Sequence, residues 1–555
     1  MNVRPPRGLL PGRDDYAGLR RSWRADLQAG LTVAVVALPL ALAFGITAGM
    51  DAQAGLVTAV VAGIVAAVFG GSHVQVSGPT GAMTVVLVPI VARYGQDAVL
   101  TVGLVAGALV VAASLLRAGR FLAYVPWPVM EGFTAGIAVV IFLQQVPAAL
   151  GVQKPAGENT LAVAVRSLWQ LPDQGHLATV GLVVATIAVM TVTPRIRRTL
   201  PASLLAVVVA TVVAEVADLD VARIGALPAS LPSPDLPGLS IARISDLLGA
   251  AVAVASLAAI ESLLSAKVAD GMSDVRRHDS DRELFGQGLA NLVSPLFGGM
   301  PATGAIARTA VNVRAGARTR VAAGSHAVVI LAVVLFASTA VARIPLASLA
   351  GILMVTAFRM VERHNVAAVV RSTRSDALVF GLTATATIAF DLVVAIEIGI
   401  AVAAGLALRS VALAASAAPS AIPVEIGDEE EHDLLAGHII AYRLDGALFF
   451  GAAQRFLTEL TNVTDARVVI LRMPDLQVLD ATGAQVLAEI VDELERRHVT
   501  VLLKGIRPAH RQVLRAVGVL DGLERRHHVF DDLDSAVHHA HHHSAGRPSA
   551  ALPSA

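Results

Sequence analysis

The sequence predicts an α-helical membrane protein with many spanning segments, followed by a smaller α/β domain in the cytoplasm. Long apolar segments recur between about residues 27 and 407, in a chain of 555 residues that is 55% hydrophobic and 15% charged. A bilayer core is about 30 Å thick, so a spanning helix needs roughly 20 mostly apolar residues. After Ser410 the apolar runs stop, and charged residues and histidines become more frequent. Two apolar segments also carry similar Gly- and Pro-containing interruptions, which predict short strands before two half-helices.

The domain boundaries follow from this change of composition. An Arg-rich cytoplasmic segment covers residues 1–25, and the membrane domain covers 26–410. A polar, proline-rich loop from Asp218 to Ser245 divides the membrane domain into repeats of seven segments, about 26–217 and 246–410. Because seven is odd, the second repeat starts from the opposite side of the membrane, which is the arrangement of an inverted repeat. The fourteen predicted segments are 27–49, 53–70, 74–92, 98–116, 125–143, 177–193, 202–217, 247–268, 284–297, 303–315, 321–341, 346–361, 375–391 and 392–409.

The distribution of basic residues predicts the orientation of these segments. Cytoplasmic loops of membrane proteins carry an excess of Lys and Arg. Arginines crowd the N-terminal segment, and basic clusters follow the fourth, sixth, eighth and tenth segments and flank the twelfth. This alternation predicts a multi-pass protein of the inner (cytoplasmic) membrane, with both termini in the cytoplasm.

The third segment of each repeat is interrupted by similar residues. The first stretch reads VQVSGPTGAM (74–83) and the second GGMPATGAIARTA (298–310), and both contain Thr-Gly-Ala. Non-helical backbone survives at membrane depth only where it is buried in protein or lines a wet cavity. We therefore predict that each stretch ends in a half-helix whose N-terminus points at the middle of the membrane. Two such helix ends, with their N–H donors and positive dipole ends, would form an anion site.

Ionisable residues inside membrane segments are functional candidates by default. Arg308, just inside the second half-helix, adds a full positive charge to the predicted anion site. Glu261 lies well inside its helix, with Ser265 one turn later. This carboxylate either binds a coupling cation, as Na⁺ with Ser265 or as a proton, or forms a structural ion pair with Arg308. Glu131 and Glu397 lie near segment ends or on peripheral helices, and we predict structural roles for both.

Beyond a linker of residues 411–436, the pattern predicts an α/β domain over residues 437–537. A buried strand, ARVVILRMPD, is followed by an amphipathic helix, GAQVLAEIVDELERR, and then by the strand VTVLLKGI. Residues 538–555 are polar and rich in histidine, and we predict a disordered tail there. A His-rich tract can bind metal, but we predict no structural metal site. The histidines of this tract are His538, His539, His541, His542 and His543.

Several motifs together resemble the SulP anion-transporter family, which includes the animal sulfate, chloride and bicarbonate exchangers and prestin. They are DLQAGLTVAVVALPLALAFGITAG, VQVSGPTGAMTVV, GFTAGIAV, ESLLSAKVAD and GGMPATGAIARTAVNVRAG, and the second is most similar to the bacterial bicarbonate transporters. The resemblance covers nearly the whole chain. It implies two inverted seven-segment repeats that form a core and a gate, a homodimer, and an elevator-like movement of the core.

The resemblance also assigns residues to the site. Many members have Gln where this chain has Leu40, so the resemblance does not identify the anion. The residues assigned to the anion are Leu40, Phe44, Thr80, Gly81, Gly304, Ala305 and Arg308. The residues assigned to the coupling cation are Glu261, Ser265 and Gly304.

The soluble part resembles a STAS domain, the fold that follows the membrane part of SulP proteins. Asp480 begins the stretch Asp-Ala-Thr-Gly, which is similar to the loop that starts a helix in this fold. Thr482 falls at the phosphoacceptor position of the stand-alone members, which implies a regulatory role for Asp480 and Thr482. The alternative is that Thr482 is an ordinary helix N-cap.

We therefore predict a secondary active transporter of small inorganic anions, such as sulfate or bicarbonate, that works in a lipid bilayer and is coupled to Na⁺ or H⁺. The alternatives are a nucleobase permease of the same fold, a C4-dicarboxylate transporter, and a transporter-like sensor regulated through its STAS domain. The formal net charge is zero, so we expect no nucleic-acid partner. The sequence contains neither a Walker motif nor a catalytic-triad spacing, so we expect no enzyme and no cofactor apart from a coupling Na⁺.

Overall fold

The computed structural model forms two compact units. The first comprises Met1–Leu122, Ala135–Val361 and Thr387–Val393, and the second comprises Ala123–Thr134, Glu362–Ala386 and Val394–Ala555. The residues that the structure describes are 9–16, 18–119, 126–155, 160–174, 177–197, 200–236, 241–389, 398, 401–402, 405–406, 439–444, 446–448 and 467–545.

Helices account for most of the described chain before residue 390, because its long runs of Ala, Val and Leu can pair every backbone group within one segment. Two short strands, β1 (Ser77–Gly78) and β2 (Thr303–Gly304), interrupt them. The helices are α1 (Leu19–Thr47), α2 (Ala52–Phe69), α3 (Gly81–Tyr94), α4 (Gln96–Leu115), α5 (Trp127–Gln144), α6 (Val146–Leu150), α7 (Thr160–Gln174), α8 (Leu177–Ile196), α9 (Ala202–Val216), α10 (Ile241–Met272), α11 (Ser280–Val293), α12 (Ile306–Arg314), α13 (Arg320–Ala342), α14 (Leu346–Met360), α15 (Arg363–Ser372) and α16 (Arg374–Ala389).

Within the described residues, seven helical stretches are long and apolar enough to cross a membrane. Helices α3 and α12, with 14 and 9 residues, are too short to cross alone and match the predicted half-helices. These seven stretches do not test the predicted count of fourteen segments, and the predicted segment 392–409 lies mostly outside the described residues. The seven stretches are Leu19–Thr47, Ala52–Phe69, Gln96–Leu115, Trp127–Leu150, Leu177–Ile196, Ile244–Met272 and Arg320–Ala342.

Helices α6 and α7 occupy a region, residues 146–174, in which the sequence predicted no membrane segment. Helix α7 carries apolar residues on both sides, because Leu161, Val165 and Leu168 are exposed and Val163 and Ala164 are buried. The helix has only 15 residues and its apolar run is interrupted by polar ones, so it lacks the roughly 20 apolar residues by which spans are recognised.

Packing in the first unit has the reciprocity of an inverted repeat. Helix α1 packs against α12 and α13, and α10 packs against α3 and α4. Likewise α2 packs against α1 and α13, whereas α11 packs against α10 and α4. The pairs correspond if each helix of the first repeat is matched with one of the second: α1 with α10, α2 with α11, α3 with α12 and α4 with α13. Each contact then has an observed counterpart, as two repeats of one architecture require.

Small residues allow the closest of these contacts. A Cβ added at Gly30 on α1 would lie 2.6 Å from the carbonyl oxygen of Ala322 on α13. Glycine is therefore required where these two helices meet, since small residues let membrane helices approach closely.

The two interruptions pair with each other as an antiparallel ladder. Ser77 faces Gly304 and Gly78 faces Thr303, so β1 and β2 form a two-stranded sheet between α2 and α10. A broken helix would leave backbone N–H and C=O groups of these four residues without partners. The ladder pairs the strands, as backbone away from water requires. Helices α3 and α12 begin immediately after this ladder.

The second unit contains an α/β domain built on a parallel sheet in the order β3-β5-β7-β8, with β4 and β6 paired beside it. Its helices are α17 (Ala481–Arg496), α18 (Pro508–Val517), α19 (Val519–Arg525) and α20 (Leu533–Ala545). Apolar residues of α17, α18 and α19 pack with one face of the sheet to form the main core of this domain. The strands are β3 (Ile439–Arg443), β4 (Gly446–Leu448), β5 (Val468–Arg472), β6 (Leu476–Leu479), β7 (Thr500–Lys504) and β8 (Val529–Phe530).

Helix α20 covers the other face of this sheet, so the prediction of a disordered tail from residue 538 is wrong up to Ala545. Its Ala536 and Ala540, four residues apart, are fully buried against Ile439, Val468 and Ile470 of the strands. Two alanines among polar residues make a weak hydrophobic pattern, and only the sheet supplies their apolar partners. The predicted residues 546–555 of the tail lie outside the described residues.

Candidate ion-binding site

The side chain of Glu261 joins the two interruptions. Its Oε2 accepts hydrogen bonds from the hydroxyl groups of Thr80 (2.9 Å) and Thr303 (2.6 Å). Helix α10 therefore passes between the start of α3 and the strand that precedes α12. The predicted ion pair with Arg308 is not formed, because hydroxyl groups are the described partners of this carboxylate.

Thr80 lies at the start of the predicted half-helix, where it is the N-cap of α3. Its backbone is extended (φ −128°, ψ 160°), and its hydroxyl oxygen accepts from the backbone N–H of Met83 at 3.3 Å. The same hydroxyl donates to Glu261. Thr303, its counterpart in the second Thr-Gly-Ala, was not among the predicted site residues, although the repeated tripeptide was a signal that could have identified it.

The N-cap of helix α12 is Ala305, whose methyl group cannot accept a hydrogen bond. The backbone N–H groups of a helix's first turn have no partner within the helix, so this end presents donors and a positive dipole end. The preceding backbone is held by protein groups, since Gly304 donates to Ser262 Oγ at 2.9 Å and Ala305 donates to the Val76 carbonyl at 2.9 Å. Ser262 is a further residue that the sequence did not identify.

Arg308 lies on α12 with only 2% of its surface exposed. Its Nη2 donates to the carbonyl oxygen of Pro79, at the first interruption, over 2.7 Å. Its Nη1 is buried and has no hydrogen-bond partner among the residues that the structure describes. Gly78 leaves room for Nη1, because a Cβ added to it would lie only 2.8 Å from this atom. Its φ of 150° also favours glycine at this position.

Ser265 lies one turn after Glu261 but is directed elsewhere. Its hydroxyl group shares a hydrogen bond of 3.2 Å with Thr309 Oγ1, which also accepts from the backbone N–H of Val76. The structure therefore does not bring Ser265 to Glu261, as the predicted cation site requires. Thr80 and Thr303 supply the hydroxyl groups at this carboxylate instead.

Of the two predicted apolar residues of α1, Phe44 lies beside the start of α3. Leu40 and Phe44 are one turn apart and both are buried. A Cβ added at Gly81 would lie 3.3 Å from Cε1 of Phe44 and would overlap Ile141. Gly81 therefore lets an aromatic ring approach the first turn of α3, and Ile141 is a neighbour that the sequence did not reveal.

Carboxamide side chains support both interruptions from the helices around them. Asn291 on α11 donates to the carbonyl of Ala302 and accepts from its N–H, both at 2.8 Å. Asn312 on α12 donates to the carbonyl of Val74 at 2.7 Å. Gln287 lies one turn before Asn291 and donates to Ser77 and Glu283. The spacing of four residues between Glu283, Gln287 and Asn291 inside an apolar segment was a signal for this row.

In the second unit, Asp480 and not Thr482 is the N-cap of α17, since its carboxylate accepts from the Gly483 N–H at 2.7 Å. The alternative prediction, an N-cap by Thr482, is therefore wrong. The Thr482 hydroxyl oxygen accepts from the backbone N–H of Trp127 at 3.1 Å. The carboxylate of Asp376 accepts from the N–H of Ala481 at 3.1 Å.

Of the two carboxylates predicted to have structural roles, the structure describes Glu131 but not Glu397. Glu131 accepts from Trp127 Nε1 at 3.1 Å and from Asn365 Nδ2 at 3.0 Å, both in the second unit. These contacts fit the structural role predicted for it. Glu397 lies outside the described residues.

A model of the sulfate permease family matches residues 23–383, and a model of the STAS domain matches residues 435–536. The chain belongs to the sulfate permease family. YvdB of Bacillus subtilis, named among the sulfate transporters, is 35% identical over 525 residues that cover 93% of this chain and 97% of the relative. The bicarbonate transporter BicA of Picosynechococcus is 30% identical and covers 87% of this chain and 89% of its own.

Solved structures agree with this assignment. The transmembrane domain of a cyanobacterial BicA, at 32% identity, superimposes with a TM-score of 0.62 over 69% of this chain and 98% of that domain. The murine Slc26a9 anion transporter, at 16% identity, shows the same fold with a TM-score of 0.66 over 96% of this chain and 94% of that one. The two model matches confirm the predicted family and the predicted STAS domain. Members of the family are anion transporters, which confirms the prediction that the chain is no enzyme.

Gly78→Ala should displace the Arg308 guanidinium, because alanine is strained at a φ of 150° and its Cβ would crowd Nη1. Hydrogen bonds to charged groups contribute about 1.5–3 kcal/mol, and about 1.4 kcal/mol corresponds to tenfold in affinity, so substrate KM should rise at least about tenfold. Gly95→Ala is the control, since Gly95 has a φ of 79° but open space around its Cβ. Initial uptake rates, normalised to folded protein, give both KM values. Equal values for the two variants would contradict the role of Gly78.

Proposed function

We propose that this protein is a secondary active transporter that carries a small inorganic anion across the cytoplasmic membrane. The anion binds between the starts of α3 and α12, and a cation bound at Glu261 drives its accumulation. The observation that carries this proposal is the buried Nη1 of Arg308, which has no partner among the described residues beside two helix N-termini.

The anion would supply hydrogen-bond acceptors and negative charge to donor groups that have no partner among the described residues. A buried charge without its full set of partners is strongly unfavourable. Arg308 uses Nη2 for Pro79 and keeps Nη1 available, while the first turn of α12 presents N–H donors without a side-chain cap. Helix N-termini bind sulfate, phosphate and carboxylate for this reason. Sulfate and bicarbonate, the substrates that the relatives' names carry, both have oxygens for such donors.

The cation acts through charge. An unneutralised carboxylate at Glu261 would repel the anion that Arg308 and the helix ends attract. A proton on Oε2, or Na⁺ held by this carboxylate with the hydroxyl oxygens of Thr80 and Thr303, removes that repulsion. Cation and anion then bind with positive cooperativity, which for linked sites is typically about 1–3 kcal/mol. The hydroxyl groups of Thr80 and Thr303 replace Ser265 in this assignment.

The hydrogen bonds around the site support movement of its elements as one body, as an elevator mechanism requires. Glu261 on α10 is bonded to both interruptions, and Asn291 on α11 holds the backbone of Ala302. Breaking these buried contacts during transport would leave polar groups unpaired. We further propose a homodimer, which rests on family resemblance.

Thr482 is the proposed point of regulation in the STAS domain. A phosphate on its hydroxyl would enlarge the group that accepts from the Trp127 N–H, and it would add negative charge at the N-terminal end of α17, next to the Asp376 carboxylate that accepts from Ala481. Like charges repel, so the modification would weaken this contact. A phosphothreonine at 482 in the protein purified from its host would support this regulation.

Arg308→Ala should raise substrate KM severely, by at least about tenfold on the scale of one charged hydrogen bond, while the protein still inserts. Arg314→Ala is the matched control, because Arg314 is an exposed residue at the other end of the same helix. Uptake of labelled sulfate and labelled bicarbonate into proteoliposomes measures both variants, and competition by uracil and succinate tests the nucleobase and C4-dicarboxylate alternatives. An unchanged KM in Arg308→Ala would contradict the proposed anion site.

Glu261→Gln imitates the protonated carboxyl and cannot be recharged. We expect it to retain anion exchange but to lose accumulation against a gradient, with Na⁺ and pH gradients imposed separately. Glu131→Gln, at the half-buried carboxylate bonded to Trp127 and Asn365, should keep both activities. If Glu261→Gln still concentrates the anion as well as the parent protein does, Glu261 is not the coupling residue.

The orientation of the membrane domain is tested with inserted tags. We expect a tag at Asp235 to be accessible from outside intact cells, and a tag within residues 431–437 to be accessible only after permeabilisation. An odd number of spans separates these two positions in the predicted arrangement of two seven-segment repeats. Accessibility of both tags from the same side would contradict that arrangement.

A further inference from the structure

Three histidines of the STAS domain converge on one point at the edge of its sheet. His539 and His543 lie one turn apart on α20, and His528 immediately precedes β8. One ring nitrogen from each lies within 4.8 Å of the other two. The ring centroids are 4.8 Å apart for His539 and His543, 5.4 Å for His528 and His543, and 5.6 Å for His528 and His539.

We propose that His528, His539 and His543 bind one transition-metal ion, with Zn²⁺ as the best match to three imidazole ligands. Two histidines at i and i+4 on a helix, joined by a third from elsewhere, form a recurrent zinc-binding arrangement. Small rotations of the two helical side chains would bring the nitrogens to coordination distance. The fourth position of a tetrahedral ion is left for water.

The bonding state of these side chains favours coordination over simple packing. Nδ1 of His528 and Nε2 of His539 are buried and have no hydrogen-bond partner within the described part of the chain. Buried polar atoms without a partner are rare in folded proteins and call for an explanation such as a bound ion.

The backbone position of His528 also suits a ligand. Its N–H donates to Leu523 and its carbonyl accepts from Leu503, both at 2.9 Å, so its position is set by β7 and α19.

A metal ion at this point would tie α20 to the sheet. Helix α20 otherwise packs on the strands through four apolar side chains, those of Leu533, Ala536, Val537 and Ala540. An ion that binds only the folded domain stabilises it in proportion to its affinity. Metal binding would thus secure the helix that closes one face of the STAS core.

The chain contains its own control for this site. His538 and His542 are also one turn apart on α20, with ring centroids at 5.0 Å, but both are exposed. The described cluster does not include them, and no third ligand in the described residues completes a site there. A chelating pair at helical spacing is therefore present without the buried third histidine.

The test is zinc binding to the full-length protein, purified through a tag that contains no histidine and stripped of metal. Zn²⁺ is titrated in competition with a chromophoric chelator. We expect one tight site per chain, and at least a tenfold loss of affinity in His528→Ala and in His543→Ala. The double variant His538→Ala/His542→Ala should keep the parent affinity. Because His543 is exposed, its replacement leaves the core intact, and thermal unfolding without metal checks that both single variants fold.

Two results would overturn the proposal. One is a parent protein with no stoichiometric site. The other is a loss of affinity in the His538/His542 double variant that equals or exceeds the loss in His543→Ala, since binding would then reflect exposed histidine pairs. A cobalt-substituted protein adds a geometric readout, because the intense visible bands of tetrahedral Co²⁺ should be present in the parent and absent in His528→Ala.

Discussion

The two-stranded ladder between Ser77–Gly78 and Thr303–Gly304 is the contact on which the membrane site depends. A helix broken inside a bilayer leaves backbone donors and acceptors that lipid cannot satisfy. Each interruption solves this problem with the other one, and Asn291 and Asn312 satisfy the flanking backbone groups. Because the ladder pairs a residue of one repeat with a residue of the other, neither half-helix can be placed correctly by its own repeat alone.

The charges at the site are arranged asymmetrically around this ladder. Glu261 and Arg308 both belong to the second repeat, and both contact the first interruption, at Thr80 and at Pro79 respectively. A negative and a positive group therefore meet the same short stretch without bonding to each other. An anion near Arg308 and a cation near Glu261 could be bound together with little change in net charge, which suits movement through a low-dielectric membrane.

Sequence analysis succeeded where one residue's local chemistry decides the structure and failed where a distant partner decides it. The start of α3 near Thr80 follows from the Gly-Pro before it, and the half-helices follow from helix breakers in apolar segments. Ser265 shares a helix face with Glu261, but Thr309 from α12 takes its hydrogen bond. In α20, Ala536 and Ala540 become core residues only because Ile439, Val468 and Ile470 lie opposite. None of these partners is encoded by spacing along the chain.

The identity of the basic residue matters as much as its charge. A lysine would bring one ammonium group, which could satisfy Pro79 or an anion but would be shared between them. The guanidinium of Arg308 is a rigid fork, so Nη2 can stay on the Pro79 carbonyl while Nη1 remains directed at the space beside Gly78. Anchoring one arm fixes the direction of the other, which limits the conformational entropy lost when an oxyanion binds. The absence of a side chain at Gly78 and the carbonyl of Pro79 together position this fork, so the Gly-Pro of the first interruption serves the arginine of the second.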